Sequence, residues 1–391
     1  MSREHVRWQD IPANRYFSAG LALSAEEGER LGAALDVLPE SIVDAHTHVA
    51  RCDDVQDLSV ELLGHVVSTF PVYSLEMAAA AKRVLWPGKQ VRSARMAHAV
   101  AGYRHAAINE HLHSDLPAGD LLIAFGLASS PSDVHRLLSR DGVAALKMYF
   151  HSVDPPLRTV GEVFPESALR AAQAARVPIV LHLPTSLPDG LEEVRDVATR
   201  YPLLPIILAH VGGHGGQTLT PQISAAFRAI AELPTVFMDT AFILDSDLVN
   251  AAVQALGPSR ILFGSDEPLS LIRATAYAHP RLGPRLYAPG YHWSTDDGPP
   301  AEVTTRAPTL LHIQILEAII DAVDGDQQSL QAIFCDNALH LFGRALGPGR
   351  AQNRPDQSEP HRGRAIQLRT GVHPLGAAAP GRPGEPPSGP R

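Results

Sequence analysis

Eight short apolar, β-prone runs recur along the chain, most of them separated by helical patterns, and this repeat constrains the fold more than any other feature. The runs are Ser41–Val49 (SIVDAHTHV), Arg83–Trp86, Leu121–Ala128 (LLIAFGLA), Val143–Phe150 (VAALKMYF), Val177–Leu183 (VPIVLHL), Leu204–Val211 (LPIILAHV), Thr235–Thr240 (TVFMDT) and Arg260–Ser265 (RILFGS). Runs of this length suit strands buried on both faces, which is the signature of a parallel sheet. Amphipathic segments such as Glu166–Arg176 and Pro221–Glu232 lie between them. Motif-bearing runs follow one another at about 30 residues, the length of one strand–helix unit. Eight such units predict an α/β fold, and a (β/α)8 TIM barrel rather than an open doubly wound sheet. No Gly-rich dinucleotide loop or P-loop follows any of the runs.

The flanks read differently. Residues 1–40 are expected to be an N-terminal extension with one helix, opened by the capping box Ser24-Ala-Glu-Glu27 and ending near Leu38. The barrel is expected over 41–345. Residues 346–391 read as a disordered tail rich in Pro, Gly and Arg. From Gly347 onward 17 residues are Gly or Pro and none is aromatic, too little apolar surface to offset the entropy of ordering.

Charge and cysteine content exclude several classes. The 33 basic residues against 42 acidic ones give a net charge of −9, which argues against a nucleic-acid partner. No run approaches the ~18 apolar residues of a membrane helix. Two cysteines, Cys52 and Cys335, cannot build a disulfide framework, and Cys335 reads as an apolar filler. The start, MSREHVRWQD, has no apolar signal region, so the expectation is a cytoplasmic protein acting on a small-molecule substrate. Lysine occurs only at Lys82, Lys89 and Lys147, which singles out Lys147 inside the apolar run ALKMYF.

Polar residues that an apolar strand does not need stand at or near the ends of five runs: Asp44, His46 and His48, then Lys147, His182, His210 and Asp266. In a barrel these ends converge on one mouth. His46 and His48 are two apart on a strand, so their side chains share a face at about 6–7 Å between Cα atoms, close enough for both imidazoles to bind one cation. With His182 and Asp266 they offer three neutral nitrogens and one carboxylate, a set that suits Zn²⁺ and tolerates Mn²⁺, Fe²⁺ or Co²⁺. Asp44 has the same strand parity and is a candidate to support them. Tyr149 and His151 share a strand face with Lys147, and His214 follows His210 in a Gly-rich loop, so all three are candidates to face substrate. The segment 276–300, with Arg281, Arg285 and Trp293 among its aromatic and cationic residues, is either a lid over the mouth or a surface excursion. His111 and His113 are also two apart, but on a helical stretch, where such residues do not face each other.

The motifs IVDAHTHV (42–49), VPIVLHLP (177–184), IILAHVGGHGG (206–216) and ILFGSDEP (261–268) resemble the amidohydrolase superfamily, in particular its amidohydrolase-related branch, which also contains zinc-dependent decarboxylases. The pattern Asn337-Ala338 before Leu341-Phe342 is a weaker element of the same resemblance, which spans about residues 41–345. It implies a distorted (β/α)8 barrel, metal ligands at His46, His48, His182 and Asp266, and a histidine near substrate or a second metal at His210. It also implies one zinc ion per chain, or two if Lys147 is carboxylated and bridges them. A lysine in this place can instead serve substrate, or pair with a buried acid such as Asp44. A homodimer is implied by resemblance alone. Glu267 departs from the family, which often has an aromatic residue after the aspartate.

The leading functional expectation is a metal-dependent hydrolase of a C–N or C–O bond in an amide, lactam, lactone or ester, because a cation held this way acidifies water. Asp266 would take the water proton and His210 would polarise the substrate carbonyl. The alternative is non-oxidative decarboxylation by the same fold and ligands (a carboxy-lyase). A third reading, a non-catalytic binding barrel, predicts missing ligands, and none is missing here.

Overall fold

The computed structural model describes residues 5–7, 21–51, 54, 57–59, 72–98, 102–153, 155–213, 218–279, 283–289 and 299–346. The tail expected over 346–391 lies outside these residues except for Leu346, and so do His214, Arg281 and Trp293.

Eight strands form one sheet: β1 Ser41–Val49, β2 Gln90–Ala97, β3 Leu121–Phe125, β4 Val143–Met148, β5 Ile179–Leu181, β6 Ile206–Leu208, β7 Val236–Asp239 and β8 Ile261–Leu262. Each pairs in parallel with the next. The chain beyond β8 then runs along β1 and closes the sheet. Ala45 N–H donates to Phe263 O at 2.9 Å, Asp266 N–H to His46 O at 2.9 Å, and His48 N–H to Glu267 O at 2.6 Å. Helices connect the strands: α2 Leu75–Leu85, α3 His105–Asp115, α4 Pro131–Leu138, α5 Glu166–Ala175, α6 Leu187–Arg200, α7 Pro221–Ala231 and α8 Ser246–Leu256, with α9 Leu311–Ala322 following β8 after an excursion and α1 Ala25–Val37 preceding the barrel. The architecture is the (β/α)8 barrel that the repeat predicts.

One expected strand is wrong. Arg83–Trp86 is the end of α2, and the second strand is Gln90–Ala97. The alanine-rich α2 buries Leu75, Ala78, Ala81 and Leu85 on one helical stripe and is capped by Ser74, whose side chain accepts from Met77 N–H. The true strand escapes a search for apolar runs because it carries Arg92, Ser93 and Arg95. Arg95 is nevertheless only 1% exposed, and its burial is made tolerable by Asp120, which accepts from Nε at 2.8 Å.

Two apolar layers hold the fold. The outer one lies between strands and helices. The inner one fills the barrel with Val43, Ala45, Ala94, Ile123, Val180 and Ile207, joined from below by Cys335, Ala338 and Phe342. Helix α10, Asn337–Phe342, is tied there by the Asn337 amide, which donates to Ile261 O at 2.7 Å and Pro258 O at 2.8 Å. The capping box of α1 has both of its bonds, Glu27 N–H to Ser24 Oγ at 3.1 Å and Ser24 N–H to the Glu27 carboxylate at 2.9 Å. Glu27 also accepts from Arg273 at 2.7 Å and from Leu310 N–H at 3.0 Å. Those partners belong to the excursion after Asp266, where β9 Arg273–His279 pairs antiparallel with β10 Gly283–Tyr287 and with β11 Thr309–Leu310. Its described strands therefore form a three-stranded antiparallel sheet.

His312 on α9 is buried edge-on against Trp86, with ring centroids 5.0 Å apart, and neither ring nitrogen has a hydrogen-bond partner among the described residues. Burial pushes its pKa down from 6.5 to about 3. The unfolded chain therefore takes up a proton below pH 6.5 that the folded chain refuses until about pH 3, and stability is lost as pH falls through that window. The loss attributable to His312 is about 2 kcal/mol between pH 6.5 and pH 5. His312→Leu should remove that part of the acid slope in denaturant titrations at the two pH values, and an unchanged slope would refute the assignment.

Candidate metal centre

The site begins with a fault in β1. Asp44 pairs with Ser93 of β2 but Thr47 pairs with Arg95, so three steps on β1 match two on β2, a β-bulge. Val43 and Ala45 face the barrel interior, and the extra residue lets His46 and His48 follow them inward. The bulge also breaks the parity that grouped Asp44 with the histidines. Asp44 binds backbone instead, its Oδ1 accepting His46 N–H at 3.2 Å and Ser265 N–H at 2.9 Å. Burial pushes its carboxyl up to about 7 against those two donors.

Asp266 arrives from the turn after β8. Its Oδ1 stands 3.7 Å from His46 Nε2 and 3.4 Å from His48 Nε2. These three residues form a buried cluster whose ligand atoms all lie within 4.8 Å of one another. Gly264 makes the approach possible, because a Cβ there would meet His46 Cβ at 2.9 Å. Burial raises the Asp266 pKa, but the His48 hydrogen bond and the field of His210 and His46 outweigh it and hold the carboxyl well below the usual range.

The far side of each ring is tied down. His46 Nδ1 donates to Asp239 Oδ2 at 2.8 Å, His48 Nδ1 to Ala97 O at 3.0 Å, and His210 Nδ1 to Ala241 O at 2.8 Å. A carbonyl or an ionised carboxylate only accepts, so each Nδ1 carries the hydrogen and Nε2 is the ring atom left to face the site. Burial lowers the His210 pKa more than Asp266 raises it, which keeps this ring neutral.

Asp239 is the functional residue that sequence reasoning missed. It ends β7 in the run TVFMDT, and a carboxylate closing an apolar strand was the available signal. One oxygen holds His46, while the other accepts His210 N–H at 2.9 Å and Ala241 N–H at 3.1 Å. Burial opposes its charge, but His46 and these bonds keep its pKa below the ordinary value.

The other expected residues surround this cluster. The His210 ring is 5.1 Å from His46 and 4.5 Å from His182. His182 thus adjoins the tight three-residue group through His210. Tyr149 packs 5.0 Å from His182 and 5.7 Å from His151, tying both to the mouth. Lys147 is buried and makes no ion pair with Asp44; the carboxylates whose fields reach it are Asp239 and Asp266. His98, not anticipated, stacks parallel to His48 at 5.6 Å. His111 bonds Asp115 on the exposed side of α3, away from the site, as the helical reading requires.

A family model described as amidohydrolase matches residues 43–344. The chain belongs to the amidohydrolase family. Amidohydrolase 2 from Bifidobacterium longum subsp. infantis is 16% identical with a TM-score of 0.51, over 78% of this chain and 99% of its own. A zinc-bound amidohydrolase from Burkholderia multivorans is 14% identical with a TM-score of 0.51, over 77% of this chain and 99% of its own. At these identities the likeness is one of fold. No curated protein matches the chain.

Within this amidohydrolase the Glu267 departure has a local explanation. Its carboxylate lies 3.7 Å from Arg95 Nη1 and feels the Tyr73 hydroxyl, and Arg95 is held in turn by Asp120, which also takes Lys82 at 3.0 Å. Glu267 therefore faces a buried cation behind the turn.

Asp239→Ala should lower metal affinity about 10–100-fold by freeing the His46 ring, with the metal retained by folded protein measured in competition with a chelator. Wild-type affinity would show that the Asp239 bond does not orient His46.

Proposed function

We propose that this family member is a metal-dependent hydrolase acting on a C–N or C–O bond of a small molecule. The observation that carries the reading is the convergence of the His46 and His48 Nε2 atoms, each ring oriented through its Nδ1, on the buried Asp266 carboxylate. Without a cation, only a proton on Nε2, as in a His48–Asp266 hydrogen bond, keeps these groups from facing one another as unsatisfied acceptors in a buried site, which would be costly. A divalent ion of the zinc class fits such donors. His46, His48 and Asp266 would hold it, with His182 as the additional nitrogen. When bound, the ion supplies Lewis acidity toward a substrate oxygen and acidifies water.

The protein groups divide the proton work. Asp266 stays ionised, because its carboxyl is held so acidic, so the water proton assigned to Asp266 from sequence passes to His210 here. His210 has its Nδ1–H committed to Ala241 O, so its neutral ring meets substrate as an acceptor. This revises the part expected from sequence, since polarising a carbonyl needs a proton on Nε2. In the proposed sequence His210 takes a proton from the attacking water and, once charged, donates it to the developing oxyanion or leaving group, worth about 10²–10⁴-fold in rate.

Elemental analysis of protein purified without a His-tag or added metal tests the reading first. One ion per chain fits it, two bring Lys147 and His210 into the metal shell, and none after reconstitution sinks it. His210→Ala should keep its metal and lose at least about 10²-fold in turnover, whereas His182→Ala should lose metal. Full turnover in His210→Ala would remove its proposed role. Product analysis over esters, lactones and amides fixes the bond, and release of CO₂ from a carboxylic acid would mark a carboxy-lyase instead.

A further inference from the structure

The three lysines of this chain are treated unequally. Lys82 bonds Asp120 at 3.0 Å and Val91 O at 3.1 Å, and Lys89 bonds Leu38 O at 2.7 Å. Lys147 has no such duty. On β4, Ala145 packs in the inner layer while Leu146 and Met148 pack in the outer one, so the alternation turns Lys147 into the barrel. It is 1% exposed, and its Nζ has no hydrogen-bond partner among the described residues. The Tyr149 ring centroid lies 5.7 Å from Nζ, within cation–π range. Burial lowers its pKa to about 8, with Asp239 and Asp266 pulling the other way.

A buried ammonium with three unused donors lowers stability, and a methionine of similar length would pack there at less cost. The fold does not need this charge, but a ligand can use it. We propose that Lys147 is the anion anchor of the pocket, its ammonium binding the carboxylate of a small-molecule substrate whose scissile group faces Asp266 and His210. The proposal rests on the metal-hydrolase reading. Charge balance supports it: Asp239 and Asp266 contribute two negative charges, Lys147 one positive charge, and a divalent cation leaves the pocket at +1. One substrate carboxylate cancels that charge. A carboxylated Lys147 would instead carry a third negative charge and require a second cation.

Benzoate and benzamide, alike in shape and different in charge, serve as probes for calorimetric binding to the zinc-loaded full chain and to Lys147→Met. The preference for benzoate over benzamide should fall about tenfold or more in the variant, as expected for loss of a charge-assisted hydrogen bond. Its Tm should rise, because a buried unpaired charge is gone. Lys147→Gln should show the same loss of preference. An equal preference in wild type and variants overturns the anchor, whether both probes bind alike or neither binds. So does loss of a second metal ion in Lys147→Met together with a carbamate signal from labelled bicarbonate, which would make Lys147 a bridge. Metal content of the same samples separates the two failures. Absent metal sinks the hydrolase reading, whereas bound metal without charge preference sinks the anchor alone.

Discussion

Everything at the mouth of this barrel hangs on the seam where the chain beyond β8 meets β1. Three backbone bonds, from Ala45, Asp266 and His48, close the sheet there. The same three bonds fix the separation of the candidate ligands, because His46 and His48 are on one side of the seam and Asp266 is on the other. Closing the barrel and assembling the cluster are one event. A sheet left open at this edge would expose strand N–H and C=O groups and would also leave Asp266 without a defined distance to either imidazole. Gly264 belongs to the same constraint, since any side chain there would push the seam off His46.

The mouth holds backbone that is unfavourable on its own. Asp266 and His210 sit in the left-handed region, with φ of 61° and 56°, and so do Val211 and Phe242 beside them. Each such residue costs about 1–2 kcal/mol in isolation. What keeps two of them there is visible: His210 N–H is held by Asp239, and Asp266 N–H by His46 O. Asp239 thus orients the His46 ring and stabilises the turn that presents His210. Removing such a carboxylate affects two strands at once.

Residue patterns disclosed the barrel, its leading helix and most of the cluster, because strand-end polar residues contradict their apolar surroundings. The same logic hid what it could not see as contradiction. Strand β2 reads as polar because Arg95 is neutralised only by Asp120, 25 residues away, and by Glu267 across the seam. A pairing of that kind is set by the fold and leaves no local trace. The bulge at Asp44 is equally silent, since one extra residue in β1 is defined only relative to the register of β2. Asp239 was legible in principle, as a carboxylate closing an apolar strand, but its partners are the ring of His46 and the backbone of the loop after β6. The roles of the histidines depended on hydrogen bonds from Nδ1, which no spacing encodes.

Two buried cations among the described residues, Arg95 and Lys147, show how the fold separates structure from chemistry. Arg95 lies outside the inner layer, between Asp120 and Glu267, and its charge is balanced within the protein. The field it creates ends locally, and what it shapes is the position of the turn carrying Asp266. Lys147 lies inside, with no acceptor on its ammonium. Had Glu267 projected into the barrel beside Lys147, the pair would have neutralised itself and the pocket would have no net attraction for an anion. Because Glu267 faces Arg95 behind the turn instead, the inner charge stays unbalanced. The departure from the family at Glu267 and the unpaired Lys147 are in this sense one arrangement, in which a carboxylate kept out of the pocket leaves room for the one a substrate would bring.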